Sequence, residues 1–444
     1  MRDYSRGPLK VVLVTDVFPP RSGGSGWSTY YLGKALSERG HAVQVVRPVY
    51  GSGVIRATHK KSYYGGLPVD ELHVPSPPGW VVRVGFDKAW EEQRAVRIIR
   101  AWCGRLAGTG EADVLHGQHQ VSGTAAALSA EAARKQGRRV ISVVTVRDYW
   151  PLCPSSTRLL PTHQGKSQEC TDCHNFTSYV SCVSRTGTFD PAQILGAARW
   201  LRTHLQAREL ARADAIIAVS NYVRSELARS GRFDNGKLIT IHNLVDLGSV
   251  DKVLAQPDAI NPPVDGPYLL FVGKLDENKG AQLLPEAIQA SDIRLPLLLA
   301  GDGPLQSHLQ AAAQSRGLDF QFLGWQDNES LLRLMRNARC LVFPSCWQEP
   351  LSRVLLEGCA AGAAIVALDT GGTSDVLTHN VSGWLARDHA SFAEGVRQVC
   401  NDDTLNASLR HGARELAATR FSAQIVARQV EDLYLSLLAR LDGE

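Results

Sequence analysis

The chain is predicted to be an α/β protein of two doubly wound domains, and three observations carry that prediction. Its 444 residues exceed one ordinary domain. Apolar runs of four to six residues alternate with amphipathic stretches of ten or more, the pattern of parallel strands covered by helices on both faces. The pattern also starts twice. Residues 9–15 form an apolar run that leads through a Pro/Gly-rich loop into a helix near Ser25, and residues 268–273 lead through 274–280 into a helix near Ala281.

Taken in order, the first half should place strands at 9–15, 42–46, 114–116, 140–146, 215–219 and 238–242, with an Arg-rich helix over 88–106. The segment 246–266 contains Gln256-Pro257-Asp258, Asn261-Pro262-Pro263 and Asp265-Gly266, a composition that interrupts structure. The expected domains are therefore 1–250, with a Cys-containing insertion near 151–190, and 262–420. Strands of the second domain are expected at 268–273, 295–300, 320–323, 339–343 and 363–368, and the amphipathic tail 421–444 closes the chain.

An apolar fraction of 44% with 21% charged residues belongs to a soluble globular protein. There is no apolar run of 18 residues, and the start Met1-Arg2-Asp3-Tyr4-Ser5-Arg6-Gly7-Pro8 lacks a secretory core. Nine scattered cysteines do not form a disulfide framework. A cytoplasmic protein is expected. Charge is uneven: residues 1–213 carry net +12 and residues 214–444 net −8. The basic half suits peripheral contact with an anionic membrane or a phosphorylated acceptor, or serves solubility alone. Nucleic acid is not an expected partner, because no binding motif accompanies the charge.

The most informative stretch is Trp347-Gln348-Glu349-Pro350-Leu351-Ser352-Arg353-Val354-Leu355-Leu356-Glu357. Its two carboxylates are separated by about two helical turns, roughly 12 Å, so they suit an extended ligand rather than one atom. Glu349 lies just ahead of a predicted helix, near the end where anions bind. A second signal is Gly273-Lys274-Leu275-Asp276-Glu277-Asn278-Lys279-Gly280, whose two lysines follow a strand and can neutralise a diphosphate leaving group. A third is the loop Ser22-Gly23-Gly24-Ser25-Gly26, where backbone N–H groups can hold a phosphate. Its spacing is not the dinucleotide fingerprint, and the strand ending Arg47-Pro48 offers no acid for a ribose.

Together these segments resemble the retaining GT-B glycosyltransferases, and glycosyltransferase family 4 in particular. The resemblance covers nearly the whole chain and is strongest over 268–385. It implies two facing Rossmann-like domains with the site in the cleft between them, and a last helix that crosses back to the first domain. Glu349 would meet the donor sugar and Glu357 the ribose hydroxyls, with Leu351 and Ser352 on the same donor stretch. Gly23 and Gly24 would touch the donor diphosphate, while Gly273, Lys274 and Lys279 form the Gly-Arg…Lys-Gly element. Lys274 stands where the family has Arg and keeps the charge but not the bidentate fork. Gly301, in Ala300-Gly301-Asp302-Gly303-Pro304, is expected near the nucleotide or in a tight turn.

Two elements depart from the family pattern. A His-x-His element falls on His116-Gly117-Gln118-His119, so the second His is Gln118, and either His116 or His119 is the candidate for the cleft. The family's His-Asp falls on Arg147-Asp148, where Arg suits an acceptor phosphate or carboxylate or pairs internally with Asp148. Cys153, Cys170, Cys173 and Cys182 could hold one structural zinc, with free thiols the expected state and no catalytic metal implied.

The implied reaction moves a sugar from a nucleotide diphosphate sugar to a glycan, glycolipid or small-molecule acceptor with retention. It needs no cofactor beyond that co-substrate and belongs to cell-surface polysaccharide or glycolipid assembly. A sugar-nucleotide epimerase and a non-catalytic nucleotide-sugar binder are the alternatives.

Overall fold

The structure is a computed structural model and describes residues 7–20, 22, 24–51, 53–83, 87–161, 167–170, 192–256 and 264–443. The chain divides into two compact units, Met1–His242 with Val426–Glu444, and Asn243–Ile425.

The first unit is built on a sheet of strands β1 (Lys10–Val14), β2 (Ala42–Val49), β3 (Thr58–Tyr64), β4 (Leu67–His73), β5 (Val114–Gly117), β6 (Ile141–Val146), β9 (Ala215–Ala218) and β10 (Leu238–Thr240). Their order is β10-β9-β6-β5-β1-β2-β4-β3. All neighbours are parallel except β3 on β4. Every residue of β5, β6 and β9 is buried, which is why these strands read as unbroken apolar runs. The helices Asp87–Gly108 and Gln120–Arg134 cover one face, packing Ile99, Cys103, Leu106, Ala125 and Ala126 against Val12, Val14 and Leu115.

The hairpin β3–β4 was not among the predicted strands. Thr58-His59-Lys60-Lys61 is exposed and carries no apolar run, because it forms the sheet edge, where lysines discourage further pairing. Two short strands, β7 (Leu159–Pro161) and β8 (Ser167–Glu169), pair antiparallel inside the Cys-bearing segment.

The last helix, Ala423–Gly443, crosses back as expected and packs in the first unit from Val426 onward. Glu431 accepts from Arg39 and lies 3.2 Å from His41 Nε2, while Asp442 accepts from Arg139 Nε at 2.7 Å. Its apolar stripe of Val430, Leu433, Tyr434, Leu437 and Leu438 is buried.

The second unit has strands β11 (Leu269–Val272), β12 (Leu297–Ala300), β13 (Phe320–Gly324), β14 (Cys340–Phe343), β15 (Ile365–Leu368) and β16 (Trp384–Ala386), all parallel, in the order β13-β12-β11-β14-β15-β16. The helix expected near Ala281 begins as a 3₁₀ turn, Ala281–Leu283, and becomes α-helical over Leu284–Ser291, with Pro285 in the first turn where a missing N–H is harmless.

Each sheet therefore has a topological switch point. In the first unit the chain places β2 on one side of β1 and later β5 on the other; in the second it places β12 and then β14 on opposite sides of β11. The helices diverge there, and the carboxyl ends of the strands open a crevice suited to ligands.

Candidate functional site

At the switch point of the second unit, the loop after β11 meets the loop after β14. Asn278 O accepts from Cys346 N at 3.1 Å and from Trp347 N at 3.0 Å, and Ser345 Oγ lies 3.1 Å from the same carbonyl. This stitching brings Lys279 to Glu349: Nζ lies 2.5 Å from Oε1. Ser345 Oγ donates to the same Oε1 at 2.9 Å, and Lys279 Nζ stands 5.3 Å above the Trp347 ring. Glu349 is only 3% exposed, so these donors replace the water its carboxylate has lost.

A third loop, after β15, closes on Glu349 from its backbone side. Gly372 N donates to Glu349 O at 2.6 Å, Gly371 N to Gln348 Oε1 at 2.7 Å, and Thr370 Oγ1 to Ser345 O at 3.0 Å.

The close backbone approach depends on glycine at two positions. Gly280 has φ +70°, and a Cβ there would stand 1.7 Å from Pro344 O. Gly301, φ +146°, would place a Cβ 2.0 Å from Gly273 O. The Gly-Lys-…-Lys-Gly and Gly-Asp-Gly elements are thus tied together by contacts that admit no side chain.

Other predicted residues take distinct places. Lys274 is largely exposed and lies 3.3 Å from Asp276 Oδ2. Glu357 sits on the helix Arg353–Ala361 and accepts from Arg353 Nη2 at 2.6 Å and Nε at 3.2 Å, both on Oε1. Leu351 and Ser352 are buried just before that helix, and Ser352 is its N-cap residue.

At the switch point of the first unit, Gly24 opens the helix Gly24–Glu38, whereas Gly23 lies outside the described residues. Past β1, Asp16 accepts from Val121 N at 3.0 Å and Ser122 N at 2.8 Å and so caps the helix Gln120–Arg134. Burial, opposed by these bonds, pushes its carboxyl up to about 6. Asp148, past β6, accepts from Trp150 N at 2.8 Å and is likewise pushed by burial to about 6.

The two histidines separate sharply. His116 has no exposed surface; Nδ1 lies 2.6 Å from Tyr434 Oη and Nε2 2.8 Å from Thr145 Oγ1. Burial, reinforced by Arg147, holds it down to about 3, so it is a neutral clamp joining β5, β6 and the last helix. This corrects its candidacy for catalysis, because both ring nitrogens are already engaged and the ring points into the core. His119 is the N-cap residue of the helix Gln120–Arg134, with Nδ1 3.2 Å from Thr15 Oγ1 and 3.4 Å from Asp16 N. Burial, then Arg147, holds it too down to about 3.

Sequence reading missed Asn278, Ser345 and Asp16. An acid two residues past a strand, facing a later helix start, was the available signal for Asp16. No local pattern marks Asn278 or Ser345. The internal Arg147–Asp148 alternative is replaced by a bond from Arg147 to Gln118 Oε1. Ser220 and Asp246 cap helices, accepting from Val223 N and Ser249 N.

Among the described residues no group of His, Cys, Asp and Glu is placed to hold a metal ion, and no helix is long and apolar enough to cross a membrane. Cys153 is a free thiol, and Cys173 and Cys182 lie outside the described residues.

Comparison with known proteins agrees with this arrangement. The family described as Glycosyltransferase Family 4 matches residues 22–249, just over half of the chain, and Glycosyl transferases group 1 matches residues 254–416. O-antigen chain mannosyltransferase C of Escherichia coli is 30% identical over 243 residues, covering 53% of this chain and 63% of that protein. Glycogen synthase of Mycobacterium tuberculosis is 28% identical over 233 residues, covering 50% of this chain and 54% of that one. The chain thus spans between about half and two thirds of these relatives. Among solved structures, sucrose-phosphate synthase of Thermosynechococcus elongatus superposes with a TM-score of 0.63 at 19% identity, over 98% of this chain and all of that one. Anabaena HepE in complex with UDP gives 0.62 at 17%, over 96% of this chain and 100% of the other. These likenesses show the GT-B fold.

Proposed function

Since this chain belongs to glycosyltransferase family 4, we propose that it is a retaining transferase moving a hexose-type sugar from a nucleotide diphosphate sugar to an acceptor hydroxyl. The observation that carries this reading is the Lys279–Glu349 pair at the switch point of the second unit. A cation and a buried carboxylate in direct contact, at the carboxyl edge of a parallel sheet, suit a ligand that brings phosphate to one and sugar hydroxyls to the other. Relatives whose solved structures hold UDP or ADP support a nucleotide donor.

In this reading Lys279, assisted by the exposed Lys274, stabilises the leaving diphosphate. Glu349 accepts from the sugar hydroxyls, and Ser345 keeps it oriented. Both Arg353 bonds fall on Oε1 of Glu357, leaving Oε2 to accept from the ribose. Gly301 lets the nucleotide approach the backbone. No side-chain nucleophile is assigned; the departing diphosphate takes the proton of the incoming hydroxyl. The acceptor is a glycan, a glycolipid or a small molecule of cell-surface polysaccharide assembly, and no cofactor beyond the co-substrate is required. The relative named for O-antigen synthesis supports that setting.

The test begins with thermal shifts for UDP, GDP and ADP and their common sugars, since a ligand bound only by the fold raises its melting point. Glu349→Gln should retain nucleotide binding and lose sugar transfer by about a hundredfold or more. Transfer at the wild-type rate in that variant would sink the assignment.

A further inference from the structure

The two departures from the family pattern touch each other. Gln118 follows β5 and Arg147 follows β6, neighbouring strands, and Arg147 Nη2 donates to Gln118 Oε1. A guanidinium can only donate, so this bond fixes the amide orientation and aims Gln118 Nε2 elsewhere. The Gln118 side chain is completely buried, yet Nε2 meets no partner among the described residues. His119 Nε2, one residue on, is also buried without a partner. Leaving such groups without a partner is costly in a folded interior, and a bound ligand is one way for a site to complete the bond.

The neighbouring acids do not compete for these nitrogens. Asp16 spends both carboxylate oxygens on the Val121 and Ser122 amides, and Asp148 Oδ1 accepts from Trp150 N. Arg147 retains part of its surface in solvent and sets a permanent positive charge beside His119. The group lies beside the switch point between β1 and β5, where a ligand of this sheet is expected.

We propose that Gln118, His119 and Arg147 form a recognition site for an oxyanion on the acceptor, a carboxylate or a phosphate. Only the word acceptor rests on the transferase reading; the anion site stands on the geometry of the first unit.

The experiment titrates the full chain with glucose, glucuronate and glucose 6-phosphate at constant ionic strength, with UDP titrated separately. At least one charged sugar should bind about tenfold or more tightly than glucose, as charge-assisted hydrogen bonds predict. Arg147→Met and Gln118→Leu should each lose most of that preference while keeping the wild-type affinity for UDP, which also reports an intact fold. Preference for glucuronate assigns a carboxylate, and preference for glucose 6-phosphate a phosphate. Equal binding of all three sugars, or a preference that survives Arg147→Met, overturns the proposal. If charged sugars bind through Arg147 while no nucleotide binds, the anion site holds and the transferase reading fails.

Discussion

Replacing Lys279 by Met would leave the Glu349 carboxylate buried beside an apolar side chain. The pair is close, at 2.5 Å, and Glu349 is 3% exposed, so removing the cation resembles breaking a buried ion pair, which costs about 3–5 kcal/mol. Two features reduce that figure. The Lys279 side chain is 30% exposed, so water can reach its place, and Ser345 Oγ still donates to Oε1 at 2.9 Å. A loss of about 2 kcal/mol is expected, a fall in melting temperature of roughly 4–8 °C for a unit of this size. Urea unfolding of the single variants Lys279→Met and Glu349→Gln and of the double variant measures the coupling directly. Glu349→Gln should rescue much of the loss when Met occupies position 279, because no buried charge is then left unpaired. Additivity within about 0.5 kcal/mol would refute the claim that these groups stabilise one another.

The remaining predictions concern the frame of each unit's strand-end cluster. His116 is neutral in the fold, held down to about 3, whereas the unfolded chain takes up a proton near 6.5. Its stabilising contribution is therefore complete above 6.5 and is lost as pH falls toward 3. The stability difference between wild type and His116→Gln should shrink by about 2 kcal/mol between roughly pH 7 and 5; a constant gap would show that His116 is not buried as a neutral group. Gly280→Ala should cost about 2–4 kcal/mol and weaken nucleotide binding, because its Cβ would meet Pro344 O at 1.7 Å. Gly110, with a similar φ of +71° but open space around it, gives the control: Gly110→Ala should cost about 1 kcal/mol in strain alone. Equal losses at the two positions would mean the loop contact is not tight.

The sequence by itself determined the strands of both sheets that are covered on two faces, since burial on both sides requires unbroken apolar runs. Residues 140–146 and 363–368 are read from composition alone for that reason. It also marked Lys279 as a candidate from its loop after a strand, and Glu349 from its place ahead of a helix and from the family resemblance. Their contact, across 70 positions, is a product of tertiary structure. It exists because β11 and β14 are neighbours and because Gly280 lets the two loops close.

The same division explains what local pattern could not reveal. An edge hairpin such as β3–β4 is half-solvated and carries lysines, so it leaves no apolar signature. The fates of His116 and His119 depend on which side of one strand end faces the core and on a tyrosine that returns from position 434. Gln118 and Arg147 look in sequence like two unrelated losses of histidine, yet strand register makes them partners. Local pattern records how deeply a segment is buried. Only the register of strands distant in the chain decides which side chains meet, and those meetings set the chemistry at the strand ends of each unit.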